Sequence, residues 1–349
     1  MYHADHRLEI NPAKTANQHQ TSQIGQASQR VLIFGAGVTG NILAETFHKY
    51  PRYQVVGFID DDRQLIGKTR QDLPVLGDRY SLVSTINLSR VDEIILAVSK
   101  PIDDELLQLL THCHERGVSV TPMPVFYEGL TGKIAVEHIG SQWYSALPMT
   151  KNPSEKLNQI GKRILDIVCG LIIAAVLAIL LPFVALAIKL DSPGPIFYKQ
   201  ERVGLYGSKF TVWKFRSMVQ NAERNGAQWA VKGDARITKV GLFIRKTRID
   251  ELPQVINVLN GEMSMVGPRP ERQQFIDELQ QQLPFYRTRL AAKPGLTGWA
   301  QVNYGYGSTV EDALIKLQYD LFYLKHRSPL LDLQILLRTF SVVFKMQGQ

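Results

Sequence analysis

Cysteine is nearly absent from this chain of 349 residues, which has only Cys113 and Cys169, in unrelated segments. Two separated cysteines exclude a disulfide framework and fit a reducing compartment. Cys113 lies between His112 and His114, but the segment has a helical pattern, in which adjacent side chains point in different directions. We therefore predict no metal site at these three residues.

The N-terminus lacks an apolar run. Residues 1–28 are rich in Gln, His, Asn and Ser, so they do not have the pattern of a signal peptide. A polar segment of this kind cannot bury enough apolar surface to fold alone, and we predict that it is disordered.

Acidic residues are scarce in residues 189–248, which contain four Asp or Glu and thirteen Lys or Arg. The difference gives this segment a charge of +9, whereas the whole chain carries +8. Concentrated positive charge predicts anionic partners, which could be phosphates, nucleic acid or anionic lipid. The segment shows no evident recognition helix, so we expect no nucleic-acid partner.

Charge of either sign is absent from residues 167–188, an apolar run of twenty-two residues that contains Pro182. A helix of that length rises about 33 Å, enough to cross the core of a bilayer. Lys162, Arg163 and Lys189 flank the run, and positive flanks favour the cytoplasmic side at both ends. Because proline kinks a helix, we predict a re-entrant membrane helix. A straight span and a buried helix of a soluble protein remain alternatives.

The C-terminal residues 311–344 repeat leucine at helical spacing. Helices in the membrane interface have this pattern, and so do core helices, so both interpretations remain open. The predicted organisation is a disordered N-terminus (1–28), a Rossmann-like domain (29–125), a linker (126–161), a membrane helix (162–190) and a mostly helical α+β catalytic domain (191–349).

Residues 29–125 alternate short apolar strands with amphipathic helices, which predicts a parallel sheet of the α/β class. Gly35, Gly37 and Gly40 lie between the first strand and the first helix, and Asp60 follows Gly40 by twenty residues. In a Rossmann-like site this spacing places the glycines beside the phosphate groups of the bound nucleotide and the acidic side chain beside its ribose. We interpret it as a nucleotide or nucleotide-sugar site, and the alternative is an empty or regulatory pocket. A Tyr-x-x-x-Lys pair is absent, so hydride transfer is not expected.

Two adjacent carboxylates, Asp250 and Glu251, occur at the end of the basic segment. Pro253 is tolerated in the first turn of a helix and Gly261 can end one, which places both carboxylates at a positive helix N-terminus. Adjacent carboxylates repel each other, and Mg²⁺ between them would remove the repulsion and neutralise substrate phosphates. The alternative is an ordinary acidic helix cap. The cations expected to bind phosphates are Lys214, Arg216, Arg245, Arg248 and Arg269.

Five motifs carry a resemblance to a known family. They are Ser192-Pro-Gly-Pro195, Lys214-Phe-Arg-Ser-Met218, Asp250-Glu-Leu-Pro-Gln254, Val266-Gly-Pro-Arg-Pro270 and Lys293-Pro-Gly-Leu-Thr-Gly-Trp-Ala-Gln301. On these motifs the chain from about residue 162 resembles the bacterial sugar transferases, the polyprenyl-phosphate hexose-1-phosphate transferases. The resemblance implies a monotopic membrane enzyme whose re-entrant helix is broken at a proline. It also implies a covalent phosphosugar intermediate on Asp250, Mg²⁺ held by Glu251 with Asp250, and Gln301 among the substrate-binding residues.

The implied reaction transfers a sugar-1-phosphate from a UDP-sugar to polyprenyl phosphate, expected to be undecaprenyl phosphate, and releases UMP. It would initiate an exopolysaccharide, capsule or O-antigen at the cytoplasmic face of the bacterial inner membrane, where downstream glycosyltransferases and self-association are possible. The sugar stays open, with glucose or galactose slightly preferred. Large family members usually begin with several transmembrane helices, and this sequence shows none. The alternative function is a membrane-tethered nucleotide sensor with an inactive transferase domain.

Overall fold

The computed structural model describes residues 28–98, 101–136, 155–220, 222, 234–283, 285–305, 307 and 309–344. The chain divides into two compact units, residues 1–146 and 147–349, and each is described by itself. Residues 1–27 of the predicted disordered N-terminus and residues 137–154 of the predicted linker lie outside the described residues.

The first unit alternates strands with helices. Its elements are β1 (Gln29–Phe34), α1 (Val38–Phe47), β2 (Tyr53–Ile59), β3 (Thr69–Arg70), β4 (Leu73–Gly77), α2 (Leu82–Ser89), β5 (Glu93–Leu96), α3 (Asp104–Glu115), β6 (Ser119–Pro122) and α4 (Met123–Thr131). The strands lie in the order β3-β4-β2-β1-β5-β6. Neighbouring strands are parallel except for β3 and β4. The predicted parallel α/β sheet is confirmed.

Helices cover both faces of this sheet. On β1, Val31 and Ile33 belong to the apolar cluster that includes α1 and α4, whereas Leu32 and Phe34 belong to the cluster that includes α2 and α3. All four side chains are buried. A parallel strand that is buried on both sides is apolar throughout, which explains why β1 does not alternate.

A glycine turn after β1 brings α1 close to the sheet. Gly35 has a φ of +113°, and a Cβ on Gly40 would lie 1.9 Å from the carbonyl oxygen of Gly35. Both positions therefore require glycine for backbone reasons. Helix α1 begins at Val38, so Gly40 lies in its first turn and not, as the sequence pattern predicted, between the strand and the helix.

The second unit begins with a long helix and continues with short strands and helices. Its elements are α5 (Glu155–Asp191), β7 (Phe197–Val203), β8 (Lys209–Phe215), α6 (Lys239–Lys246), α7 (Val255–Asn260), β9 (Ser264–Val266), α8 (Gln273–Gln282), β10 (Gly295–Thr297), α9 (Trp299–Asn303), α10 (Val310–His326) and α11 (Pro329–Phe344). Strands β7 and β8 form an antiparallel hairpin, and β9 pairs in parallel with β10. Short 3₁₀ helices occupy Leu205–Gly207, Ile249–Gln254 and Tyr286–Ala291.

Helix α5 is attached to its own unit along most of its length. Near its start, Lys162 Nζ lies 2.8 Å from Asp332 of α11. Arg163 donates to carbonyl oxygens at the end of α7, and the buried Asp166 accepts hydrogen bonds from β9. Further along, apolar side chains of α5 pack with β8 and α6 around Ile188. Both halves of the helix therefore contact one unit.

The other face of α5 is apolar and exposed. Residues Asn158–Asp191 are long and apolar enough to cross a membrane, and the best 18-residue window has a mean hydropathy of 3.1 and is 11% buried. The predicted long apolar helix is confirmed, whereas its re-entrant path stays a prediction. The exposed large apolar residues of α5 are Ile160, Ile164, Ile167, Val168, Leu171, Ile172, Val176, Ile179, Phe183, Leu186 and Leu190.

Candidate active site

A 3₁₀ helix over Ile249–Gln254 carries the two adjacent carboxylates. Helix α7 follows directly and ends before Gly261, whose φ is +83°. Arg248, just before the 3₁₀ helix, has a left-handed φ of 59°. Such a conformation is uncommon for a residue with a side chain, and it turns the chain between α6 and the carboxylates. Asp250 and Glu251 therefore lie in the first turn, as the sequence predicted.

Glu251 is the centre of an ion-pair network. Its Oε1 lies 2.8 Å from Lys214 Nζ and 2.7 Å from Arg269 Nη2. Its Oε2 lies 3.5 Å from Arg248 Nη1. Burial alone would raise the pKa of Glu251, but Arg269, Lys214 and Arg248 hold that pKa well below its ordinary value. Glu251 is therefore ionised at neutral pH.

Asp250 is equally buried, but its charged form is less well stabilised. The residue is 8% exposed. Burial, and then the charge of Glu251, raise the pKa of Asp250 to about 6, although Lys214, Arg245 and Arg248 oppose the shift. A carboxylate with a raised pKa that lines a cavity is a candidate reactive group.

Arg269 approaches Glu251 from a loop that is held rigidly. Its backbone lies between two prolines, and its carbonyl oxygen accepts a hydrogen bond from Arg289 Nη2 (3.0 Å). Arg289 is buried, pairs with Asp320 at 2.7 Å and donates to the Tyr286 hydroxyl at 2.7 Å. The sequence did not single out Arg289 or Asp320, because they are separated along the chain and meet only in the folded protein.

These groups line one cavity of about 700 Å³, a size typical of ligand pockets. Its walls carry ten Lys or Arg and four Asp or Glu, so the cavity attracts anions. The charged lining residues are Arg202, Lys214, Arg216, Arg236, Arg245, Arg248, Arg269, Arg272, Arg289 and Lys316, with Asp250, Glu251, Glu271 and Asp320.

One wall of the cavity was missed by the sequence analysis. It is the row Tyr198, Gln200 and Arg202 on one face of β7. Gln200 donates to the Tyr198 hydroxyl (2.8 Å) and accepts from Arg202 (2.5 Å). Tyr198 is the cross-strand partner of Lys214, so the row begins beside Glu251. Residues at alternate positions of a strand share one face, but Lys199 and Glu201 between them are also polar, so the sequence alone did not show which face lines a cavity.

Three other predicted site residues line the same cavity but make other contacts. Arg216 is buried and donates to main-chain carbonyls at the end of α5 and just beyond it. Gln301 donates to a main-chain carbonyl of β10 at 3.3 Å. Arg245 acts on Asp250 through its charge, which lowers the pKa of that carboxyl. The structure thus brings together Lys214, Arg248 and Arg269 around Glu251.

In the predicted nucleotide site of the first unit, the carboxylate of Asp60 hydrogen-bonds to the backbone of the site itself. Asp60 accepts hydrogen bonds from the backbone N–H groups of Ala36 (2.6 Å) and Asp62 (2.8 Å). Its carboxylate therefore fixes the glycine turn that contains Gly35 and Gly37. The cofactor-binding role of Gly35, Gly37, Gly40 and Asp60 stays a prediction.

Asp250 and Glu251 are the residues that would hold Mg²⁺. This ion takes oxygen ligands and is usually bound through one or two carboxylates together with substrate phosphates and water. Among the described residues there is no group of three or more His, Cys, Asp or Glu that could hold a metal. The donor set fits Mg²⁺ on the condition that substrate phosphates complete it.

Sequence comparison gives the family. The family model described as bacterial sugar transferase matches residues 157–346, and the model described as a CoA-binding domain matches residues 14–124. The first match covers more than half of the chain. The chain therefore belongs to the bacterial sugar transferase family.

Several relatives align with much of the chain. The UDP-N-acetylgalactosamine-undecaprenyl-phosphate N-acetylgalactosaminephosphotransferase of Aeromonas hydrophila is 40% identical over 69% of this chain and 57% of its own length. The UDP-glucose:undecaprenyl-phosphate glucose-1-phosphate transferase of Xanthomonas campestris pv. campestris is 36% identical, over 78% of this chain and 57% of its own. The corresponding enzyme of Escherichia coli (strain K12) is 33% identical, over 92% and 68%. The chain thus spans only 57% of the first two relatives.

Proposed function

We propose that this protein transfers a sugar-1-phosphate from a UDP-sugar to undecaprenyl phosphate and releases UMP. The observation that carries the proposal is Asp250, a buried carboxylate with a pKa raised to about 6 that faces a cation-lined cavity. The names of the relatives support it, because they describe transfer of a sugar phosphate to undecaprenyl phosphate.

In the first step a carboxylate oxygen of Asp250 attacks the phosphorus of the phosphate that bears the sugar. A phosphorus–oxygen bond to Asp250 forms, the bond to the second phosphate breaks, and UMP leaves with that bond's electron pair. Arg269 and Lys214 stand beside this position, and Arg guanidinium groups are well suited to phosphate oxygens. Such a transfer needs charge neutralisation and positioning more than further covalent chemistry.

In the second step an oxygen of undecaprenyl phosphate attacks the same phosphorus. The bond to Asp250 breaks and the carboxylate is regenerated, which is the usual advantage of splitting a transfer in two. Mg²⁺ held by Glu251 and Asp250 would neutralise charge on the phosphate oxygens. Arg289 and Asp320 keep the backbone of Arg269 in place through both steps.

We further propose that α5 is a re-entrant helix and that the cavity opens to the cytoplasmic side. The attachment of both halves of α5 to one unit supports this, because a spanning helix would carry its two ends to opposite sides of the bilayer. Exposed apolar side chains on α6 and α11, among them Phe243, Leu337 and Phe340, would extend the same membrane surface.

Cysteine labelling tests this topology in intact cells. Single cysteines replacing Asn158 and Ser208, in a protein lacking Cys113 and Cys169, should both be shielded from a membrane-impermeant thiol reagent and should react after lysis. Pro182→Ala should favour a full crossing and expose residue 158. Labelling of either position in intact cells with Pro182 present would rule out the re-entrant path.

A UMP-release assay tests the reaction. Membranes containing the protein are incubated with a panel of UDP-sugars and undecaprenyl phosphate, with the Asp250→Asn protein as the matched control. One sugar should give UMP and a lipid-linked product, and the control should give neither. Nucleotide binding without UMP release for every sugar would contradict the proposal and favour the alternative of a nucleotide sensor.

A further inference from the structure

The carboxylate expected to bind Mg²⁺ is already occupied by side chains. Glu251 Oε1 is shared between Lys214 Nζ at 2.8 Å and Arg269 Nη2 at 2.7 Å, and Oε2 faces Arg248 Nη1 at 3.5 Å. Mg²⁺ needs short contacts in near-ideal geometry. The ion can reach Oε1 only if one of the two cations on that oxygen moves away.

The charge of the site also opposes a free metal ion. Asp250 and Glu251 carry at most two negative charges, and the cations acting on them are Lys214, Arg245, Arg248 and Arg269. The immediate surroundings are therefore positive before any substrate binds. A divalent cation is repelled by such a site, whereas a diphosphate is attracted and brings negative charge with it.

Lys214 and Arg269 differ in how easily they can move. Arg269 lies between two prolines, and its main-chain carbonyl oxygen accepts a hydrogen bond from the buried Arg289. Lys214 projects from β8 on a flexible four-carbon stem and contacts Glu251 through its single ammonium group. Lys214 is thus the cation that can exchange a carboxylate for a phosphate with the least rearrangement.

We propose that Lys214 occupies the metal position on Glu251 in the metal-free protein, so that a divalent cation binds only together with a diphosphate. When both arrive, Lys214 leaves Glu251 Oε1 and bonds to a phosphate oxygen. The identity of the diphosphate, a UDP-sugar, rests on the proposed function. Linkage then requires reciprocity: the diphosphate must tighten metal binding by the same factor as the metal tightens diphosphate binding.

Mn²⁺ binding measured by electron paramagnetic resonance tests this without turnover. The whole chain in detergent is titrated with Mn²⁺ alone and with saturating UDP, which has no sugar to transfer. The Glu251→Gln protein gives the baseline for Mn²⁺ held by UDP in solution. We expect UDP to tighten Mn²⁺ binding about 10-fold or more, and equilibrium dialysis should show the same factor for UDP. Equal Mn²⁺ affinity with and without UDP would overturn the proposal.

Lys214→Met tests the role of Lys214 directly, because it removes the competing cation but keeps a side chain of similar length. It should raise the affinity for Mn²⁺ in the absence of UDP by about 10-fold and reduce the UDP effect. Lys316→Met is the matched control, because Lys316 lines the same cavity but donates to a main-chain carbonyl at 2.7 Å. Its nucleotide-free affinity should stay within about twofold of wild type.

The role of Lys214 in metal binding can be tested separately from the transferase reaction. If Lys214→Met does not fold, as judged by thermal melting, Arg248→Gln should give a smaller gain in Mn²⁺ affinity. Unchanged affinity in a folded Lys214→Met protein, or equal gains in the two lysine variants, would overturn the role of Lys214. Either result would leave UMP release by the wild-type protein unexplained by Lys214 but still present, whereas failure of the transferase proposal would appear as absent UMP release by the wild-type protein.

Discussion

The two units of this chain hold their key aspartates in opposite ways. In the first unit, the carboxylate of Asp60 accepts two backbone hydrogen bonds, at 2.6 Å from Ala36 and 2.8 Å from Asp62. In the second unit, Asp250 is buried beside another carboxylate, and its pKa is raised to about 6. Asp60 stabilises a turn, whereas Asp250 is held in a state that disfavours its charge.

We interpret this difference as separating an acid that stabilises the fold, Asp60, from one that is proposed to react, Asp250. Both carboxylate oxygens of Asp60 accept hydrogen bonds from backbone N–H groups of the turn, so this side chain is committed to the local structure. Burial without full compensation costs folding free energy but leaves an oxygen available for reaction, and such groups cluster at functional sites. On this basis we propose that the second unit carries the reaction.

The largest difference between the two aspartates should appear when each charge is removed in turn. Asp250→Asn should lower UMP release by at least about 10³-fold, because it removes the nucleophile but keeps the shape. Asp60→Asn should leave UMP release within about twofold of wild type. Comparable losses in the two variants would show that the first unit takes part in catalysis.

A smaller loss of activity is expected from a substitution in the proline-flanked loop that carries Arg269. Arg269→Lys keeps the charge but loses the planar fork, and kcat/KM should fall by about 10- to 100-fold. Arg287→Lys is a matched control, because Arg287 is exposed and lies 3.9 Å from Asp277. Equal kinetics for the two variants in the UMP-release assay would contradict the role of Arg269.

The pH dependence should report the raised pKa of Asp250. Because the nucleophile must be ionised, log kcat/KM should rise with pH up to about 6, by about one unit per pH unit, and level off above it. Lys214 lowers the pKa of Asp250, so Lys214→Met should move this limb to higher pH. A limb that moves to lower pH, or a flat profile from pH 5 to 8, would count against the assignment.

The smallest expected effect is on the free energy of unfolding, which should depend on pH through Asp250. The folded-state pKa of Asp250, about 6, exceeds its ordinary value of 3.8, so the folded protein binds more protons between these values and loses stability as pH rises through them. Above pH 6 the ionised Asp250 should therefore cost up to about 3 kcal/mol.

Asp250→Asn should then raise the free energy of unfolding above pH 6, with the gain vanishing below about pH 4. Asp60→Asn should lower the stability of the first unit by about 1–2 kcal/mol. Denaturant unfolding in detergent measures both effects, and a destabilised Asp250→Asn protein at pH 7 would contradict this account.

Periodicity and spacing predicted the features that depend on local sequence. The apolar strands of the first unit, the long helix around Pro182, and the first-turn position of Asp250 and Glu251 all follow from short-range patterns. The two-residue strand β3 and the contacts of Asp60 did not, because pairing partners and backbone acceptors are set by tertiary structure.

The same limit applies to the active site. Lys214 and Arg269 could be proposed as phosphate ligands from their motifs, but their shared contact with Glu251 requires that β8 and the proline-flanked loop converge. Arg289 and Asp320 are 31 residues apart and neither lies in one of the five motifs. Arg216 was predicted to bind phosphate, yet its guanidinium donates to main-chain carbonyls near the end of α5, a role that no local pattern reveals.

A single-turnover experiment without lipid acceptor tests whether Asp250 forms a covalent intermediate. The protein is mixed with a stoichiometric amount of its UDP-sugar, labelled in the sugar, and then denatured. We predict about one UMP released per active site, with the sugar phosphate attached to the peptide that contains Asp250, and neither signal in Asp250→Asn. UMP release that requires undecaprenyl phosphate, with no label on the protein, would contradict it.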